Sequence, residues 1–595
     1  MRLLSFSPFN NVWVHAFPQA LLAESAQRIG FDVDFVTCGG LLRDHCVAMD
    51  EANIDVRADD ATRGRVCATC TARGATMTTA LGLRQRTLSE FFSATDEDWV
   101  VEQVARVRSD TWQDFEVDGI PVGRYASYEF LLKYKINQFI IPNKLFSVYQ
   151  GQLANALRTL VVTPRLLAEL QPDRAIAYNT LYSPNRVFMA LAERAGIPCF
   201  TMQGGNHPKY RGETMTVFRN DQETFRAPKS AAWQAWKVVP ISGDAAHVVV
   251  EAIENQFSAK SAFVYTNKHT ATAPSAMRES LGIHGDAKVA LVVLSSRDEL
   301  FAADVVGRFT VPIDGSFLFE NQSDWVAYLI DLAERRPDLH LVIRVHPREF
   351  PNKRENVTSP NVERLKALLQ SVPANVSIDW PTDRRSLYDV MQVVDVVLSG
   401  WSSVGGEASL FGMPVVTYKT GEALAFPSEL VNQVDDIAAY ESTINKALAD
   451  GWCIERARLA FRWYAFNYTR LALNLADGVP SRSTWSARRV VQGLYTQTRA
   501  PVPFALVHAF EKRELRRRAT TLQCDAVFAD VLQNLRSSAA ESEAWPARVA
   551  TTQEGEDQAL KGAMQRMLEL LGSYPDDSQC LSTRIESFIG STPAA

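Results

Sequence analysis

The apolar run Val396–Leu398 empties into S-G-W-S-S-V-G-G-E at 399–407, a small-residue loop that opens a helix. Hydroxyls of Ser402 and Ser403, with the backbone N–H groups of a helix start, are groups that hold a phosphate or a sugar-acid carboxylate. Gly405 and Gly406 would let the backbone approach such a ligand, and Glu407, in the first turn, could accept hydrogen bonds from ribose hydroxyls. Ordinary capping by serine, with an acid at the helix dipole, is the competing account. A second cluster, L-V-I-R-V-H-P-R-E, sets Arg344 inside a strand and His346 at its end, where Pro347 stops the ladder. A histidine there can donate to a phosphate oxygen of a leaving nucleotide, with Arg344 or Arg348 adding charge. A buried structural histidine would leave the same trace. Ser295, Ser296, Arg297 and Asp298 follow another apolar run, and Thr382 and Asp383 follow a further one. In open α/β sheets ligands collect beyond the carboxyl ends of the strands, which makes these positions candidates for binding an activated donor.

Chemistry on a hydroxyl would also need a base that takes its proton. His15, after the first strand, is the first choice; a capping or packed histidine explains it equally well. His207, in Q-G-G-N-H-P-K-Y, is second, with Gly204 and Gly205 permitting close approach to substrate, and Glu213 is third. Half of the 8 cysteines lie early: Cys38, Cys46, Cys67 and Cys70, in T-C-G-G-L-L-R-D-H-C and V-C-A-T-C. One C-x-x-C with two outlying thiols can close a tetrahedral zinc site, with Zn–S of about 2.3 Å, or hold an iron–sulfur cluster. His45 is a spare ligand. The first pair lacks C-x-x-C spacing, so scattered thiols or a disulfide stand beside the metal as readings. A metal there would anchor an irregular segment and would not be required for catalysis.

The elements that must position these residues alternate. R-L-L-S-F, a helix through F-P-Q-A-L-L-A-E-S-A-Q-R-I-G and F-D-V-D-F-V-T-C begin a βαβ unit. Residues 47–150 read as an insertion with helical patterns, after which R-A-I-A-Y-N, P-N-R-V-F-M-A-L-A-E-R-A-G and I-P-C-F-T-M-Q resume the alternation. The polar stretch T-N-K-H-T-A-T-A-P-S-A-M-R-E-S reads as the connection between halves. Beyond it K-V-A-L-V-V-L-S-S, L-H-L-V-I-R-V-H-P, N-V-S-I-D, V-V-D-V-V-L-S-G and P-V-V-T-Y alternate with amphipathic helices, the pattern of a parallel sheet covered on both faces. The expected fold is α/β: a Rossmann-like domain over 1–265, a doubly wound domain over 280–450, and a mainly helical extension over 451–595. In that extension K-R-E-L-R-R-R at 512–518 reads as a solvated helix face rather than a membrane patch.

Composition narrows the partners. With 62 basic against 68 acidic residues and a net charge of -6, no global positive field exists to hold nucleic acid. The amino terminus lacks the continuous apolar core of a secretory signal, so the expected location is the cytoplasm, with peripheral attachment at the inner membrane left open.

The motifs S-S-R-D-E at 295–299, R-V-H-P at 344–347, and S-L-Y-D-V-M, V-V-D-V-V-L-S-G-W-S-S and E-A-S-L-F-G-M-P-V-V within 386–416 resemble the GT-B glycosyltransferases of bacterial capsule and surface-carbohydrate synthesis. The likeness includes the Kdo-type sugar-acid transferases and, more distantly, the teichoic-acid glycerophosphotransferases. It implies that His346, Ser402, Ser403 and Glu407 lie in a nucleotide-sugar donor site, and that an acceptor oxygen attacks the anomeric carbon with inversion and without a metal. A glycan or a lipid-linked glycan is the implied acceptor. Polyol-phosphate transfer, and a non-catalytic carbohydrate-binding or assembly protein on the same fold, are the alternatives.

Overall fold

The computed structural model describes residues 1–219, 229–259, 264–312, 316–352, 356–478, 524–536, 551–574, 577 and 579–591. The basic run at 512–518 lies outside the described residues. The amino-terminal half is built on β1 (Arg2–Phe6), β2 (Asp32–Thr37), β3 (Arg84–Thr87), β4 (Arg174–Tyr178), β5 (Cys199–Gly204) and β6 (Thr214–Phe218). From one edge the order is β3-β2-β1-β4-β5-β6, parallel up to β5 and antiparallel between β5 and β6. Residues 47–150 are therefore not wholly an insertion, because β3 completes the sheet edge.

The second half carries β7 (Lys288–Val293), β8 (Leu339–Arg344), β9 (Val376–Asp379), β10 (Val396–Ser399), β11 (Val415–Tyr418) and β12 (Asn432–Val434). All are parallel, in the order β9-β8-β7-β10-β11-β12, a doubly wound Rossmann arrangement. Leu291, Val292, Leu341, Val397, Leu398 and Val416 are fully buried, as strands covered on both faces require. Two Rossmann-like sheets with a helical extension are what the GT-B resemblance implies.

The helix Gly243–Phe257, assigned from sequence to the first domain, packs in the second: Val249, Ile253 and Phe257 share a core with Val289, Leu291 and Val293. The first domain thus ends before this helix, short of residue 265. The carboxyl-terminal extension divides between the halves. The strand β13 (Leu473–Asn474) pairs antiparallel with β6, and the helix Asp525–Gln533 packs its Val527 and Phe528 against the first domain. The helix Gln553–Leu571 returns to the second core, where Glu556, fully buried, receives Arg458 and Arg462.

The halves meet through the helices Tyr128–Tyr134 and Arg297–Val305, whose Leu131 and Ala302 share a core. Phe139 lies edge-on to Phe301, and Arg186 donates to the Val306 carbonyl at 3.0 Å. None of the helices among the described residues is long and apolar enough to cross a membrane.

Candidate donor site

In the second sheet the strand order reverses between β7 and β10, and a crevice opens there beyond the carboxyl ends of the strands. It holds a cavity of about 170 Å³ whose wall includes Arg344, His346, Tyr388, Ser402, Ser403 and Glu407. The two clusters that sequence placed in one site, the β8 end and the β10 loop, do face a common space. A second cavity of about 360 Å³ adjoins it, sharing Tyr265, Thr266, Arg344, Val345 and Pro347, and adds Lys268, Trp380 and Arg385.

His346 accepts a hydrogen bond at Nδ1 from the Arg348 backbone N–H, 3.2 Å away. The proton therefore sits on Nε2, the nitrogen left to address a ligand. Burial, the largest cause, drives its pKa down to about 4, so the imidazole is neutral at ordinary pH. A neutral Nε2–H is a hydrogen-bond donor to a phosphate oxygen and carries no net charge.

Glu407 is pushed up from the usual carboxylate range by burial. Its Oε1 accepts from Ser403 Oγ at 3.3 Å, and its Oε2 lies 3.0 Å from the Tyr388 hydroxyl. That hydroxyl also lies 2.9 Å from Gln256 Oε1, and one proton cannot serve two acceptors. The Tyr388 hydroxyl thus joins Glu407 and Gln256 in one buried hydrogen-bond chain. Ser402 Oγ accepts from Val404 N–H at 3.4 Å, as the capping account expects.

Other expected donor residues sit differently. Ser295 is buried and exchanges backbone hydrogen bonds with the Gln322 amide at 2.8 and 3.1 Å. Ser296 donates to Asp298 at 2.6 Å, and Arg297 begins the helix that abuts the first domain. None of the three lines either cavity. Arg344 lines both, but its guanidinium is engaged by Asp379 and by the Arg385 carbonyl. Gly405 and Gly406 answer to packing rather than to ligand approach: a Cβ on either would strike Phe426, and on Gly406 also Tyr464.

The proposed bases fare less well. His207 is 2 % exposed; its Nε2 donates to the Val248 carbonyl at 2.9 Å, and its Nδ1 accepts from the N–H groups of Lys209 and Tyr210. With no lone pair left, it is a structural histidine. Gly204 and Gly205 make room for Arg211 and Thr214 in the same hairpin. His15 stands where the first sheet reverses order, but it stacks on Tyr178 with ring centroids 4.1 Å apart. Burial, with the Arg211 charge, holds its pKa down to about 3, too low to take a proton near neutrality. Glu213 offers its carbonyl to Leu475 N–H, which ties the strand pair β6–β13.

Cys38, Cys46, Cys67 and Cys70 do converge on one cavity beyond β1 and β2. All four are free thiols, and among the described residues no three His, Cys, Asp or Glu side chains form a metal-holding group. The disulfide reading fails with them. His45 turns away, its Nε2 donating to the Ile54 carbonyl. Burial pushes the Cys38 thiol up to about 12 and Cys70 up to about 11, so these are packed, protonated thiols.

Sequence missed Tyr265, Gln256 and Tyr388 as parts of the site. Tyr388 lay inside a quoted motif, whereas Gln256 sits on the helix assigned to the wrong domain. No protein-family model matches this sequence, and no curated protein matches it. Among solved structures, a UDP-GlcNAc 2-epimerase from Neisseria meningitidis bound to UDP-GlcNAc is 12% identical, covering 83% of this chain and 100% of its own, with a TM-score of 0.27. The spinosyn rhamnosyltransferase SpnG complexed with thymidine diphosphate is 10% identical, covering 86% and 99%, with a TM-score of 0.25. The glycosyltransferase SnogD from Streptomyces nogalater is 12% identical, covering 79% and 95%, with a TM-score of 0.24.

Proposed function

We propose that this chain is a glycosyltransferase that takes a sugar from a nucleotide donor, the donor lying in the crevice between β7 and β10. One observation carries the reading: His346, Ser402, Ser403 and Glu407 line a single cavity at the point where a doubly wound sheet reverses its strand order. Nε2–H of His346 and the serine hydroxyls are donors suited to the leaving phosphate, and Glu407 to a hydroxyl of the nucleotide or sugar. The adjoining larger cavity gives the rest of the donor a place to lie.

In the proposed reaction an acceptor hydroxyl attacks the anomeric carbon from the side opposite the leaving group. The bond from that carbon to the phosphate oxygen breaks as the new glycosidic bond forms, inverting the centre, and the hydroxyl proton passes to a group of the amino-terminal half. Neutral donors and fixed dipoles meet the charge on the departing phosphate, so no divalent cation is required. The motif resemblance supports an acceptor among glycans or lipid-linked glycans of bacterial surface polysaccharide assembly.

The test is calorimetric titration of the full chain with UDP, CDP, GDP, TDP and CMP, followed by a screen of the matching nucleotide sugars. Saturable binding of one nucleotide, weakened in His346→Ala, is expected, with turnover unchanged by EDTA. Failure of every nucleotide to bind, while a sugar polymer binds tightly, would replace the enzyme with a carbohydrate-binding protein. Release of CMP from a CDP-polyol would replace it with a polyol-phosphate transferase.

A further inference from the structure

Lys135 is fully buried, an unusual place for an ammonium group. It follows the helix Tyr128–Tyr134 at a left-handed backbone position, φ 52°, and so projects out of the amino-terminal half. Its Nζ donates to the carbonyls of Arg348, of Phe350 at 3.1 Å and of Val357 at 2.5 Å. Carbonyl acceptors of this kind offset the hydration that a buried ammonium loses. All three carbonyls belong to the segment that leaves β8 just after His346.

Arg348 connects this anchor to the cavity. Its carbonyl receives Lys135, its N–H fixes the His346 tautomer, and its guanidinium spans Asp298 at 2.8 Å and the Leu132 carbonyl at 3.1 Å. Arg348 and Asp298 are 2% and 3% exposed. The amino-terminal half thus grips both ends of the residue that orients His346.

We propose that Lys135 is a positioning residue for His346, holding the Arg348 peptide so that the imidazole keeps its Nε2–H turned to the donor cavity. The catalytic significance of this rests on the donor-site reading above; the positioning itself does not. Because the ammonium comes from the opposite half, the donor site is complete only when the halves are docked. Separating them would free the Arg348 carbonyl and the histidine together.

The test uses the full chain with 13C,15N-labelled histidine, the His346 signal being identified by its loss in H346Q. Lys135→Met should shift the His346 ring nitrogens and mix its tautomers, while His340, at the far end of β8, keeps its signal as an internal control. Lys135→Gln, which retains an amide donor, should show a smaller shift of the same kind and replaces Lys135→Met should that variant not fold. An unchanged His346 signal in a folded variant overturns the proposal, whatever the chain binds. Where the wild-type chain binds UDP, CDP, GDP or TDP, the Kd for that nucleotide should rise about tenfold in Lys135→Met with His340 undisturbed. A loss of binding that moves both histidines equally marks general loosening and also overturns it. Absence of nucleotide binding in the wild type speaks against the donor reading alone, since the ring signals still report on Lys135.

Discussion

The backbone N–H of Arg348 lies 3.2 Å from Nδ1 of His346, and this contact decides what the histidine can do. It occupies the ring nitrogen facing the protein and leaves a donor, not an acceptor, for the cavity. Asparagine can reproduce the nitrogen that meets Arg348, and glutamine the one that faces the ligand. His346→Gln should therefore retain more nucleotide affinity than His346→Asn or His346→Ala. A lost hydrogen bond to a charged group amounts to about 1.5–3 kcal/mol, so the latter two should weaken binding roughly 10- to 100-fold. Calorimetric titration of the three variants measures the order, and equal affinities would remove His346 from the site.

How much of this could be read from residues alone depends on how far each signal is local. The strands β7, β8, β10 and β11 are mainly apolar runs of four to six residues, and the polar residues beyond them stand out by contrast. That is why His346, Ser402, Ser403 and Glu407 stand out as candidates from sequence. Arg84–Thr87 has no apolar residue and escapes detection as a strand, because an edge strand needs no buried side chains on both faces. Ser295 and His207 look as reactive as His346 in sequence. The His207 ring is bound to the Val248 carbonyl, 41 residues away, and Ser295 is buried with its backbone held by Gln322, 27 residues away; only the folded chain shows either. The same holds for Lys135, whose partners are more than 200 residues distant.

Acid should destabilise the fold before carboxylates protonate. Burial holds His346 down to about 4 and His15 down to about 3, against 6.5 for a free imidazole. Between 6.5 and these values the unfolded chain binds more protons than the folded one, so stability falls as pH falls through that window. It stops falling where the folded histidine itself takes a proton, and above 6.5 neither state gains one. Each such histidine contributes about 1.4 kcal/mol for each full pH unit inside the window. Urea midpoints compared at about pH 7.5 and about pH 5 measure this, and equal midpoints would contradict buried neutral rings.

Glu407 and Tyr388 should be separable by what each variant loses. Tyr388→Phe removes a buried hydroxyl that links Glu407 to Gln256, which should cost about 1–2 kcal/mol of stability. Glu407→Gln keeps the shape and both hydrogen-bonding roles toward Tyr388 and Ser403 but removes the ionisable group. Stability should be nearly unchanged in Glu407→Gln, and nucleotide affinity should fall about tenfold if a ribose or sugar hydroxyl uses this carboxyl. Denaturation midpoints and titration, run on the same preparations, distinguish the two effects.

His207 offers the opposite case. Its ring joins the Val248 carbonyl to two backbone N–H groups and packs against Tyr468 with centroids 4.8 Å apart. His207→Ala leaves these buried groups without partners and should cost about 2–4 kcal/mol of folding stability. Nucleotide affinity of the fraction that remains folded should stay within about twofold of wild type. Selective loss of turnover in a variant with unchanged stability would restore His207 as a base.

The four early thiols supply the last test. Cys38, Cys46 and Cys70 are buried, whereas Cys67 is half-buried on the helix Asp60–Leu81. Burial also pushes all four thiols up, which suppresses the thiolate that reacts with alkylating reagents. Within this group Cys67 should be labelled first by iodoacetamide in the native protein, with the other three following only on unfolding. Peptide mass mapping over a time course gives the order. If all four resist labelling until a chelator is added and then react together, a bound metal is holding them, and the packed-thiol account of this cavity is wrong.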